Sequence, residues 1–186
     1  GRVVDAEGRP VASEPVRIRP VGFPVPGVAR ARTRTGTDGR FRLHHLPDLP
    51  CRVTIESQKV APCRQEVHPD ESPVTLRVEV LGDVAGRIVV TGDDGPPDEF
   101  TVFVIPTGAD TPYPTWIAPS PYRKITGSLD GSFRARGFKA GLYDVIAMAK
   151  GDRFSERRSR VRVRPGETTR LEAPLVLRRT GGIEGR

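Results

Sequence analysis

Residues 38–55 read DGRFRLHHLPDLPCRVTI, and residues 130–147 read DGSFRARGFKAGLYDVIA, at a constant offset of 92 with no gap. The identities are few but well placed. Asp38 and Gly39 match Asp130 and Gly131, Phe41 and Arg42 match Phe133 and Arg134, Leu46 aligns with Phe138, and Val53 with Val145. Upstream, Gly1-Arg2-Val3-Val4 aligns with Gly86-Arg87-Ile88-Val89 at an offset of 85, so the second copy carries seven more residues between its anchors. Self-similarity at a long fixed period marks a tandem array of one structural unit. The same opening dipeptide stands at the far end as Gly185-Arg186, after Ile183 and Glu184, where a third copy would begin.

Between the aligned Gly-Arg openings at Gly1, Gly86 and Gly185 the units span 85 to 99 residues, close to the ~100 residues of a seven-stranded sandwich. Within them apolar residues alternate with polar ones: Val16 and Ile18 with Arg17 and Arg19, Val53 and Ile55 with Arg52 and Thr54, Leu76 and Val78 with Arg77 and Glu79. A period of two with one apolar face is a strand half-buried against a second sheet. Val102, Phe103, Val104 and Ile105 are apolar on both faces, as a central or interface strand requires. Asp-Gly pairs at 38–39, 94–95 and 130–131 punctuate the strands as turns. The expected fold is all-β: two tandem antiparallel β-sandwiches, residues 1–81 and 82–179, with residues 180–186 either opening a further repeat or, as Ile-Glu-Gly-Arg, a protease-site tag remnant.

Composition agrees with this reading. The chain has 186 residues, 36% hydrophobic, with 20 glycines and 19 prolines, a turn-rich balance well above the ~12% average for those two types. No apolar run approaches the ~20 residues of a spanning helix, and Gly1 to Pro10 do not read as a signal peptide; starting on Gly1, the chain reads as a mature or excised piece. The net charge of +7 comes from arginine, because only four of the 30 basic residues are lysine. Such a balance suits an acidic glycan partner or a solvated surface; nucleic acid is the less favoured polyanion.

The motifs Gly1-Arg2-Val3-Val4-Asp5 with Gly8-Arg9-Pro10-Val11, Thr35-Gly36-Thr37-Asp38-Gly39-Arg40-Phe41, and Leu46-Pro47 resemble the carboxypeptidase regulatory-like domain, a transthyretin-type, Ig-like sandwich. Gly86-Arg87-Ile88-Val89, Asp130-Gly131-Ser132-Phe133 and Ala140-Gly141-Leu142-Tyr143 repeat the pattern. The second copy departs at Pro96-Pro97, and Cys51 stands where the family's strand-opening tyrosine, here Tyr143, belongs. The resemblance implies a stability, spacing or binding module of larger secreted or surface proteins, or an accessory domain of a secreted peptidase. B-type adhesin sandwiches share the fold and carry Lys-Asn crosslinks; a chain without asparagine cannot form them.

The inventory for catalysis is poor: three histidines (His44, His45, His68) and no nucleophile in a recognisable elbow. No catalytic residue, cofactor site or metal site is assigned. The acidic turns at Asp5 and Glu7, and at Asp93, Asp94 and Asp98, read as turn-forming residues rather than calcium ligands. Cys51 and Cys63 flank an expected turn at 57–62, and an oxidising surface location predicts a disulfide between them.

Two clusters are candidate ligand sites. Arg158, Arg160, Arg162 and Arg164 alternate with Val161 and Val163, which on a regular strand places four guanidinium groups on one face; that face is either a salt-bridged surface or a polyanion site. Tyr113, Trp116 and Tyr122 lie in a proline-rich insertion, displayed for stacking on sugar rings or folded back onto the sandwich. The expected function is that of a non-enzymatic repeat module (spacer, stalk or filament subunit) outside the cell, partnered by neighbouring repeats or by copies of itself head to tail, its tail completing the next molecule's first unit. A glycan- or polyanion-binding module is the alternative.

Overall fold

The computed structural model describes residues 1–22, 31–44, 46–91, 99–108, 125–126, 130–149, 153–155 and 157–179. Tyr113, Trp116, Tyr122, His45 and the tail 180–186 lie outside the described residues. The chain divides into two compact units, Gly1–Leu81 and Gly82–Arg186, and both are built from strands.

In the first unit the strands are β1 (Arg2–Val4), β2 (Pro15–Pro20), β3 (Ala31–Arg34), β4 (Cys51–Ile55), β5 (Cys63–Val67) and β6 (Thr75–Arg77). One sheet pairs β1 with β6 in parallel; the other runs β3-β2-β4-β5, antiparallel throughout. The inward residues of both sheets, among them Val3, Leu76, Val16, Ile18, Val53 and Ile55, form one buried cluster. The alternation seen in the sequence is therefore the division between core and surface: Val16 and Ile18 are buried while Arg17 and Arg19 are exposed.

Two turns show why aspartate and glycine stand where they do. Asp5 turns its carboxylate back on its own loop, accepting from the backbone N–H of Glu7 (3.0 Å) and Arg9 (2.8 Å) and from Arg9 Nε (2.6 Å). Burial pushes this carboxyl up, but the hydrogen bonds and charge of Arg9 outweigh it and hold it below the usual range. Gly39 has φ +73°, and a Cβ on it would lie 2.5 Å from the Val3 carbonyl oxygen, so the chain can turn there only without a side chain.

The second unit contains β7 (Gly82–Val90), β8 (Phe100–Pro106), β9 (Ile125–Thr126), β10 (Ser132–Phe138), β11 (Gly141–Ala149), β12 (Arg153–Ser155), β13 (Arg158–Val163), β14 (Thr168–Arg170) and β15 (Leu175–Arg179). Strand β7 pairs antiparallel with β10 and parallel with β14 in its first half, then parallel with β15 in its second. Antiparallel to β8, β12 and β13 runs β11, and β12 joins β15, linking the two layers along one side. Val84, Ile88, Phe133 and Leu175 from one layer meet Val102, Val104, Val145 and Ala147 from the other in a single core.

The two units repeat each other pair by pair. Arg2 bridges Arg40 where Arg87 pairs with Ser132, and Val3 pairs with Leu76 where Ile88 pairs with Leu175. Across the other sheet, Ile18 pairs with Val53 as Val104 pairs with Val145. Even the packing of glycine on aromatic ring recurs: a Cβ on Gly1 would meet the Phe41 ring at 2.5 Å, and one on Gly86 the Phe133 ring at 2.8 Å. At the strand-opening corner the Tyr143 hydroxyl donates to the Lys139 carbonyl (3.0 Å), and the Cys51 thiol, in the same slot, donates to the Leu49 carbonyl (3.3 Å).

That slot corrects the expected disulfide. Cys51 and Cys63 are free. Cys51 pairs with Val67 and Cys63 with Ile55, so they occupy opposite ends of the β4–β5 hairpin, four residues or roughly 13 Å apart along it, beyond the ~7 Å Cα separation a disulfide tolerates. Burial pushes both thiols up, which keeps them protonated at neutral pH and slow to oxidise. Protein unfolded without reductant is thus expected to show two reactive thiols; a chain two hydrogens lighter, with neither thiol reactive, would reinstate the bridge.

Candidate functional site

The arginine stripe of the second unit does not form as one face. Tyr143 pairs with Val161 and Val145 with Arg158, so two residues of β13, Ser159 and Arg160, oppose the single Asp144 of β11. This bulge shifts the alternation by one. Arg162 and Arg164 point outward and are exposed, whereas Arg158 shares the side of Val161 and Val163 and is half-buried at the edge, donating from Nη2 to the Pro174 carbonyl at 3.5 Å. Arg160 takes φ +59°, a left-handed conformation that costs a non-glycine residue energy.

Asp144 holds the bulge. Its side chain is 1% exposed although the alternation of β11 directs it outward, because the chain from Arg157 to Arg160 folds over it. Oδ1 accepts from the Arg160 backbone N–H (2.9 Å) and the Thr107 hydroxyl (2.8 Å); Oδ2 accepts from Arg157 Nε (2.8 Å) and from Arg157 Nη2. Burial pushes the carboxyl up, but the Arg160 N–H, the Arg157 side chain and Thr107 outweigh it and hold it below the usual carboxylate range. Both oxygens are engaged, Oδ1 by a backbone N–H and a hydroxyl and Oδ2 by the Arg157 guanidinium, so this cluster is a structural clamp.

Strand register builds a stronger concentration of positive charge in the first unit, on the outer face of β3-β2-β4-β5. Arg17 on β2 stands opposite Arg32 on β3, and Arg19 on β2 opposite Arg52 on β4, with Arg64 on β5 beyond Thr54. These five arginines line a concavity of about 430 Å³. Like charges directly opposite on a sheet repel. Two are neutralised: Arg52 Nη2 lies 2.6 Å from Glu66 Oε1, and Arg64 Nη2 lies 3.1 Å from Glu56 Oε1, exposed pairs worth about 0–1 kcal/mol each. Among the described residues no carboxylate pairs with Arg17, Arg19 or Arg32.

The sequence carried the alternation that exposes Arg17, Arg19, Arg52 and Arg64, but their meeting on one face depends on strand order and register. Elsewhere, His68 Nδ1 lies 2.9 Å from Asp70 Oδ1 beside the 3₁₀ turn Pro69–Glu71. Among the described residues no three of His, Cys, Asp and Glu gather as metal ligands, and no helix is long and apolar enough to cross a membrane.

No family model matches the chain, and no curated protein matches it. Among solved structures it is similar to the minor pilin GBS52 of Streptococcus agalactiae, at 12% identity over 99% of this chain and 98% of that one, with a TM-score of 0.39. The shaft pilin SpaA of Lactobacillus rhamnosus GG is similar at 9% identity over 98% and 97%, TM-score 0.42. A streptococcal ancillary pilin is similar at 17% identity over 95% and 61%, TM-score 0.39.

Proposed function

We propose that this chain is a tandem of carboxypeptidase regulatory-like sandwiches serving as a non-enzymatic structural module of an extracellular or cell-surface protein, in the role of spacer, stalk or filament subunit, with neighbouring repeats as its partners. The observation that carries this reading is what the two units have in common. The matched pairs Val3–Leu76 and Ile88–Leu175, Ile18–Val53 and Val104–Val145, and the glycines against Phe41 and Phe133 are interior packing. None of these matched positions presents a reactive side chain to solvent. A repeat that keeps its packing and varies its surface supplies length and rigidity, whereas function on such a fold lives in sites added to it. Antibodies raised against the chain should label intact cells of the organism that makes it; labelling that appears only after permeabilisation overturns the reading.

A further inference from the structure

We propose that the outer face of the first unit's four-stranded sheet binds an acidic polysaccharide, a sugar chain bearing repeated sulfate, phosphate or carboxylate groups. The inference stands apart from the structural role and rests on the sheet itself. Register arranges the guanidinium groups as a lattice: Arg32 beside Arg17 in one row, Arg19 beside Arg52 in the next, with strands about 4.8 Å apart and successive outward residues about 7 Å apart along each. A polymer with anions at regular intervals can therefore meet several guanidinium forks at once, each offering paired donors to one oxyanion group.

Two of the five charges on this face are paired. Glu66 and Glu56 are engaged with Arg52 and Arg64, and the exposed Arg17, Arg19 and Arg32 have no carboxylate among the described residues. An anion laid across the concavity removes the repulsion between Arg17 and Arg32 as well as making its own contacts.

The lining also selects the class of polyanion. Among the described residues it contains no aromatic ring, and single-stranded nucleic acid is held largely by stacking on such rings. Its apolar members among the described residues, Ile18 and Ala31, pack against the core, so these residues offer no apolar anchor of the kind that dominates protein–protein contacts. Five guanidinium groups, the Thr54 hydroxyl and the Glu56 carboxylate, which is paired with Arg64, remain, chemistry that suits a hydrated, multiply charged sugar chain.

The test is titration of the full chain with dextran sulfate, polygalacturonate, neutral dextran and a single-stranded oligothymidylate at low and moderate salt. Binding to one or both anionic polysaccharides, weakened by salt and absent with neutral dextran, is expected; sulfate and carboxylate sources are told apart by which of the two binds. The exposed triple variant R17Q/R19Q/R32Q should bind at least ten-fold more weakly, and R162Q/R164Q in the second unit like the parent. Amide hydrogen exchange of the unaltered chain, which does not depend on any variant folding, should show dextran sulfate or polygalacturonate protecting β2, β3 and β4. Equal binding by the triple variant, loss with R162Q/R164Q instead, protection confined to other strands, tighter binding of the oligothymidylate, or no binding of either anionic polysaccharide each overturns the proposal.

Discussion

Asp144→Asn is expected to lower the stability of the second unit by about 2–4 kcal/mol at neutral pH, since hydrogen bonds to a charged partner are worth roughly 1.5–3 kcal/mol each. Asparagine keeps the shape but replaces one carboxylate oxygen with a donor. With Oδ1 satisfied by the Arg160 N–H and Thr107, the new NH₂ faces the Arg157 guanidinium, donor against donor. The Arg160 N–H keeps its acceptor, but the charge-assisted contacts of Arg157 are lost and its guanidinium is left beside a donor. The pH dependence has a definite sign. Because the folded-state pKa of Asp144 is lowered, its contribution is complete above the ordinary carboxyl range near pH 4 and fades as pH falls through the folded value. Melting curves of parent and variant should converge on acidification from pH 7 towards pH 2. A gap that stays constant would falsify the assignment of Asp144 as a charged clamp.

Phe133→Ala has the other large effect. Phe133 is 5% exposed and its ring lies against Gly86, with a Cβ on Gly86 reaching to 2.8 Å of the ring. Truncation removes a buried aromatic and leaves a void that rigid strands on both sides cannot collapse, a loss of about 3–5 kcal/mol, comparable to the whole stability of a modest domain. The corresponding Phe41→Ala should cost less, because Phe41 is only half-buried. Calorimetry of the full chain checks both: the second unit should melt much earlier in Phe133→Ala, and a parent-like melt would show that the ring contributes nothing to the core.

Much of the architecture was legible because two simple periods survive in the sequence. The offsets of 85 and 92 between the copies reappear as matched strand pairs, Arg2–Arg40 with Arg87–Ser132, and the alternation of Val16 to Arg19 is the division between core and surface. Hairpin register was less legible. A Cys51–Cys63 bridge needs a hairpin centred on residue 57, whereas the observed pairs Cys51–Val67 and Ile55–Cys63 centre on 59, and nothing in the turn composition distinguishes those centres. The bulge at Arg160 was hidden for a related reason: alternation counts residues, and two residues opposite one shift every side chain beyond them to the other face. Asp144, outward by that count, became buried through a covering segment that its own strand does not contain. The arginine face of the first unit needed strand order, which brings β2 between β3 and β4 from separate parts of the chain.

In each unit the first strand lies parallel to the last, β1 beside β6 and β7 beside β15. Parallel neighbours place the entry of one strand and the exit of the other at opposite ends of the pair. Tension applied to a unit's two termini therefore runs along both strands in opposite directions, and the hydrogen bonds between them are loaded side by side in shear. To part, they must rupture together instead of peeling one at a time from a free end. A unit wired in this way resists being pulled out lengthwise more than its modest number of terminal hydrogen bonds suggests, whatever load its neighbours transmit.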